Sequence, residues 1–213
     1  MKKIILSLFI CVLASQTYAQ KFRFGLTATP LMIDWLKSNT DSLTSGGIKL
    51  GFTYGLSAEF NLTDRYSVAT GLHVMYRGGI LEQAVPDGLG GAVTAHSNIT
   101  AQYVELPVTL KMKTNAIGMF TYFGQFGLGL GYNIKGKSVT EFGTVTTTDK
   151  DFNKELVGMH VALHIGLGAE YHITESTDIV GTIYWNNGFT DILKDKDYKA
   201  VTNNIGLSIG VLF

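Results

Sequence analysis

The sequence predicts an all-β fold: an eight-stranded, antiparallel, up-and-down transmembrane β-barrel behind a cleaved signal peptide. Three observations carry this. The N-terminus has the layout of a secretory leader. Apolar and polar residues alternate through nearly all of the remaining chain. The connections between alternating segments are short and long in turn.

The leader comes first. "MKKIILSLFICVLASQTYAQ" sets Lys2 and Lys3 before an apolar run from Ile4 to Ala14, followed by Thr17-Tyr18-Ala19. Positive charge, a short apolar core and small residues at a cleavage site define a signal peptide. The run is about half of the ~20 residues a membrane-spanning helix needs, which disfavours an anchor. Cleavage after Ala19 assigns residues 1–19 to the signal peptide and 20–213 to a single outer-membrane β-barrel domain. Lys2 and Lys3 leave with the leader, taking the basic residues from 17 to 15 against 17 acidic ones. The mature charge of about −2 gives no footprint for nucleic acid. Cys11 leaves as well, so no disulfide, thiol nucleophile or cysteine metal site is expected.

The strands follow. "KLGFTYGLSAEF" puts Leu50, Phe52, Tyr54, Leu56, Ala58 and Phe60 on one face and Lys49, Gly51, Thr53, Gly55, Ser57 and Glu59 on the other. "YSVATGLHVMYR", "VELPVTLKMK", "FTYFGQFGLGLGYN" and "GMHVALHIGLGAEYHI" repeat this period of two, the mark of half-buried strands. Eight such segments span residues 21–32, 48–60, 66–77, 100–113, 119–133, 156–173, 177–187 and 201–213. Each is long enough to cross a bilayer as a tilted strand. "NLTDR", "TNAIG" and "TEST" are short turns, whereas residues 33–47, 78–99, 134–155 and 188–200 are long. Long loops at one end and short turns at the other are the layout of a bacterial outer-membrane barrel, with both termini periplasmic. Within the third loop, β-branched residues flank Gly143, which predicts a hairpin continuing past the bilayer.

Alternation alone does not say which face points inward, and a soluble barrel would bury its apolar face. The polar face here is rich in Gly, Ser, Thr and Ala, which suits the narrow lumen of eight strands. Aromatic residues gather towards strand ends on the apolar face: Phe22, Phe60, Tyr66, Tyr122 and Tyr171 at the turn end, Tyr76, Tyr132 and Trp185 at the loop end. Such girdles mark lipid–water boundaries. The chain also ends in mid-strand, on "NNIGLSIGVLF". In a closed barrel the last strand pairs with the first, and lipid tolerates no unpaired edge. Val211 and Phe213 resemble the C-terminal insertion signal read by the barrel-assembly machinery.

"YVELPVTLKMK" (Tyr103–Lys113) resembles a signature segment of the PorT-like outer-membrane β-barrel family of Bacteroidetes-type bacteria. "SVATGLHVMYRGG", "GLGLGY", "GLGAEY" and "YWNNGFTDI" are similar to strand ends of that family. The resemblance covers nearly all of the mature chain and implies an eight-stranded barrel in the outer membrane of a Gram-negative bacterium. Its namesake is associated with type IX secretion, so the resemblance admits secretion-system subunits as partners, besides lipid and lipopolysaccharide.

The lumen face carries Arg23, Lys49, Glu59, Arg77, Glu105, Lys111, Lys113 and Glu170. Buried charges need partners, so an ion-pair network filling the barrel is expected. Pro107 in mid-strand predicts a bulge that re-aims Glu105. His160 and His164 share the lumen face about 13 Å apart, too far for one metal. "GLGLGY" lies within a strand and lacks the turn and helix of a phosphate loop. With no Gly-x-Ser-x-Gly elbow, no enzyme, metal or cofactor is predicted. Four readings compete: an interaction protein displaying four loops, a narrow channel, a subunit or assembly factor of a secretion machine, and a membrane enzyme acting at the loop end. N-terminal sequencing of protein from the outer-membrane fraction should read from Gln20. Recovery as a soluble periplasmic protein would reject the membrane reading.

Overall fold

A computed structural model describes residues 22–38, 40, 43–86, 91–143, 145–195 and 198–213. The leader and its cleavage site lie outside the described residues. The described chain forms nine strands: β1 (Phe22–Ser38), β2 (Thr44–Asn61), β3 (Tyr66–Pro86), β4 (Ala92–Lys113), β5 (Phe120–Phe142), β6 (Val145–Asp149), β7 (Met159–His172), β8 (Asp178–Gly188) and β9 (Ala200–Leu212). All pairings are antiparallel. Neighbours in sequence pair in turn, except that β5 pairs with β7, and the contacts β1–β9 and β4–β5 close an eight-stranded ring. β6 pairs only with β5 and stands outside that ring.

The outer face is the apolar one. Leu50, Leu56, Leu72, Leu128, Leu167, Ile183 and Ile209 are all more than 40% exposed, a belt that lipid rather than water solvates. At the turn end Phe22 packs on Phe60 with ring centroids 4.8 Å apart, and Phe120 on Tyr171 at 5.0 Å. Tyr66 and Tyr122 stand exposed at the same end. At the loop end Tyr76 stacks on Phe52 at 4.5 Å, while Tyr132 and Trp185 face outward.

Three strands are far longer than the alternation predicts. β3, β4 and β5 have 21, 22 and 23 residues, against 14, 11 and 13 in β7, β8 and β9. β1 and β2, with 17 and 18 residues, also run past their expected ends, so most of the long connections 33–47, 78–99 and 134–155 is strand, and the wall is tallest at β3, β4 and β5. Outside lipid the outer face turns polar, as at His96, Asn98 and Thr100, and the contrast between faces fades. Gly143 turns the β5–β6 hairpin with φ +55°, a left-handed conformation that favours glycine. The descending arm is short: it leaves the sheet at Asp149 and passes through a 3-10 turn, Phe152–Lys154, before β7.

The core lies inside the loop-end half of the ring. Met32, Leu36, Leu81, Ile99 and Tyr103 point inward from the wall and meet Leu43, Leu156 and Ile192 from the connections. Phe152, Leu193 and Tyr198 pack on top.

Pro107 causes no bulge. Register across it is constant on both sides, and the β3 ladder omits Gly71 and Leu72 opposite Leu106 and Pro107. The missing amide donor is thus placed in a gap of the ladder, and the Thr70 hydroxyl donates to the Pro107 carbonyl at 2.7 Å. The irregularity in the β4–β5 ladder falls instead at Gln102/Tyr103.

At the seam, Phe24 and Phe213 exchange both backbone hydrogen bonds, at 2.9 and 2.8 Å, and their rings lie 6.4 Å apart. One aromatic contact contributes only ~0.5–1.5 kcal/mol beyond its buried area, whereas an insertion signal acts on every molecule before folding. Phe213→Ala should therefore lower the amount of barrel in the membrane while the inserted fraction stays heat-modifiable on gels. Normal abundance of the variant would reduce Phe213 to a piece of wall.

Candidate functional site: the polar lumen

Strand alternation sends every second side chain inward, and the sequence places large polar residues opposite small ones. A Cβ on Gly129 would lie 2.9 Å from the Glu105 Cδ, and one on Gly206 would meet the Tyr184 ring. Glycines on facing strands thus make room for bulky lumen side chains.

The turn end is sealed by charge. Arg23 donates to Glu59 Oε1 at 2.9 Å, to Glu170 Oε1 at 2.9 Å and also to Asp178. The Lys111 ammonium sits 3.0 Å from Glu59 Oε2, pairs with Glu170, and lies 3.9 Å over the Phe123 ring. Lys113 pairs with Glu59 and sits 3.4 Å from Glu170 Oε1. Ser67 adds a 2.7 Å hydrogen bond to Glu59, and His172 Nδ1 lies 2.6 Å from Asp178 Oδ1. Three cations oppose three carboxylates, and Glu59, Lys111 and Glu170 are at most 3% exposed.

The loop end is organised differently. Arg77 donates to His160 Nε2 at 3.2 Å, lies 5.9 Å from the Tyr103 ring centre, and comes within 3.9 Å of Asp34. Glu105 forms no ion pair with it, and Glu105 Oε2 has no hydrogen-bond partner among the described residues. Between the two ends lies a cavity of ≈120 Å³, lined by Glu105, His73, His164, Tyr184 and Asn186, with Glu59 and Lys111 at one end. Its size suits about four waters at ~30 Å³ each, and the unpartnered Glu105 Oε2 is among the polar atoms of its lining.

The charged residues read from the sequence thus separate into two groups. Arg23, Glu59, Lys111, Lys113 and Glu170 meet in one network; Arg77 and Glu105 lie apart from it. Lys49 is not part of the lumen network. Its ammonium donates to Asn98 Oδ1 at 2.6 Å and to Thr100 on the outer face of β4. The β2–β3 ladder slips between Gly47 and Phe52, and Gly78 lets the lysine stem pass, since a Cβ there would lie 3.1 Å from Lys49 Cδ. Strict alternation had no means of registering that slip. It also passed over Asp34 and Asp178: Asp34 lies beyond the expected end of the first strand. Asp178 follows the short turn and shares parity with Asn186, a signal the sequence did contain. His160 and His164 serve Arg77 and Gln125 respectively, and among the described residues no group of three His, Cys, Asp or Glu could hold a metal.

A buried charge that loses its counter-charge is costly, about 3–5 kcal/mol. Lys111→Met should destabilise the refolded barrel by this order in a guanidinium titration. Adding Glu59→Gln to it should recover part of the loss by restoring neutrality. A Lys111→Met barrel as stable as the parent would show that Arg23 and Lys113 suffice.

Comparisons place this geometry among known proteins. A family model described as "Outer membrane protein beta-barrel domain" matches residues 14–194. Among solved structures, Neisserial surface protein A superposes with a TM-score of 0.52 at 12% identity, covering 90% of this chain and 95% of that one. OprG from Pseudomonas aeruginosa gives 0.46 at 12% identity over 91% and 96%. Ail, the attachment invasion locus protein of Yersinia pestis, gives 0.42 at 12% identity over 91% and 99%. No curated protein matches the chain. A closed eight-stranded ring with an apolar belt outside and a polar lumen inside, matched over most of its length by that family, belongs to it: the chain is a small outer-membrane β-barrel protein.

Proposed function

We propose that this barrel is a non-conducting interaction protein that presents a rigid, one-sided sheet at the cell surface, with both termini in the periplasm. The observation that carries this reading is the double closure of the lumen. The Arg23–Glu59–Lys111–Glu170 network fills the turn end, and the Leu36, Leu81, Ile99, Leu156 and Ile192 core fills the loop end. The cavity between them has only the volume of a few waters. Nothing passes such a lumen without breaking buried ion pairs and an apolar core. An enzyme reading gains no support from the lumen, because its buried charged groups lie in these seals or between them.

What remains for function is the outer surface. β3, β4 and β5 continue into the hairpin with β6, and the connection after β8 packs against them through Leu193 and Tyr198. This is a preformed surface, suited to binding with little loss of conformational freedom. The Tyr103–Lys113 segment, which carries the resemblance to PorT-like proteins, points Tyr103, Glu105 and Lys111 into the lumen. Barrel construction accounts for those residues, so the segment favours no secretion partner.

Purified protein in planar bilayers should pass little or no steady current. Large, stable conductance steps would reject the sealed barrel and favour a channel.

A further inference from the structure

We infer that Lys49, Lys135 and Lys137 form a site on the outer wall for the phosphate groups of an outer-leaflet amphiphile. The inference rests on the orientation proposed above, with the loop end outside.

The sequence would be expected to scatter these lysines. Lys49 has lumen parity, yet its side chain crosses Gly78 to reach Asn98 and Thr100. Lys135 owes its exposed position to the slip at Gln102/Tyr103, after which it pairs with Gln102. Lys137 pairs with Thr100, whose hydroxyl also receives the Lys49 ammonium. Strand spacing of ~4.8 Å and a rise of ~3.3 Å per residue put the three within roughly 10 Å of one another. Lys137 and Lys49 act on each other as like charges. Among the described residues none of the three has a carboxylate within ion-pair distance. Asp34, across the β1–β2 ladder from Lys49, attracts it from the lumen side, where it lies 3.9 Å from Arg77; Glu82 and Glu141 sit further from the membrane, Glu82 on His96.

Height and direction fit a lipid headgroup. Immediately towards the membrane lie the stacked rings of Phe52, Tyr54 and Tyr76, the exposed Tyr132 and Ile134, and Gln102, which donates to the Tyr76 hydroxyl at 2.9 Å. The cations thus stand one step above the apolar belt, where lipid phosphates lie. The site is also confined to one arc: β7, β8 and β9 contain no lysine or arginine. Lysine is a compact point charge suited to phosphate, and each lysine near an anionic surface contributes about 1 kcal/mol.

The test is retention of phosphorylated lipid A by the purified full-length barrel, followed by native mass spectrometry. The parent should hold one molecule. The variant Lys49→Gln/Lys135→Gln/Lys137→Gln should bind roughly a hundredfold more weakly. The corresponding arginine variant should retain binding, and dephosphorylated lipid A should be lost by the parent as well. Equal retention by the glutamine variant, equal retention of dephosphorylated lipid, or displacement by inorganic phosphate would each overturn the inference. If the glutamine variant fails to fold, the two lipids compared on the parent decide the matter. Orientation is read separately from Gly143→Cys and a membrane-impermeant maleimide on intact cells. Labelling there supports the loop end outside. Labelling only after the outer membrane is opened would reject the orientation, and with it the outer-leaflet source, while the phosphate measurement would still show whether the lysines bind a headgroup.

Discussion

A backbone amide or carbonyl in hydrocarbon has no water to turn to, and each one left unpaired costs several kcal/mol. The rest of this molecule depends on that constraint. It requires the strands to close on themselves, so β1 meets β9 and Phe24 meets Phe213. Closure with eight strands fixes the bore, and the bore fixes what fits inside. The same alternation that gives lipid its leucines delivers charges to the lumen, where they have no choice but to neutralise one another. The Arg23–Glu59–Lys111–Glu170 network follows from the wall, in this sense, as much as it fills it.

Buried ion pairs are poor sources of net stability, because desolvation offsets attraction. Their value here lies in geometry. A one-residue slip of any strand would turn its charges to lipid and its leucines to the lumen. Glu59 and Glu170 are satisfied by three cations from β1 and β4 at once, so a slipped strand would strand several groups together. The network therefore selects register against its alternatives. The apolar core at the loop end works by another rule: it buries Leu36, Leu81 and Ile99 above the lipid, where water would otherwise reach them.

The fold was legible in the sequence because one physical rule governs the belt. Phe52, Tyr54 and Leu56 alternate with Thr53, Gly55 and Ser57 for as long as lipid lies outside. Legibility fails where that rule stops. Beyond Tyr76 and Gln102 the outer side of the wall is polar and the inner side faces the apolar core, so Ile99 and Ala101 point inward with Asn98 and Thr100 as their outward neighbours. Period two is a weak signal there, with the apolar side moved from the outside to the inside, and the alternation does not mark these stretches as strand. Parity puts Lys49 in the lumen because it counts residues and cannot register a slip between Gly47 and Phe52. Pro107 reads as a bulge in sequence because the gap that accommodates it belongs to the ladder with β3, which one strand's sequence does not reveal.

The unequal height of the wall has a consequence for how the protein meets its surroundings. A round barrel looks the same from every bearing in the plane of the membrane. This one does not, since β3, β4 and β5 rise well above β7, β8 and β9. It has a front and a back, like a high-backed chair. Neighbours arriving laterally meet a tall polar sheet from one bearing and a low rim from the other. The azimuth of the molecule, its heading about its own axis, thus becomes a variable that crowding can bias, and packing side by side in a dense membrane need not be isotropic.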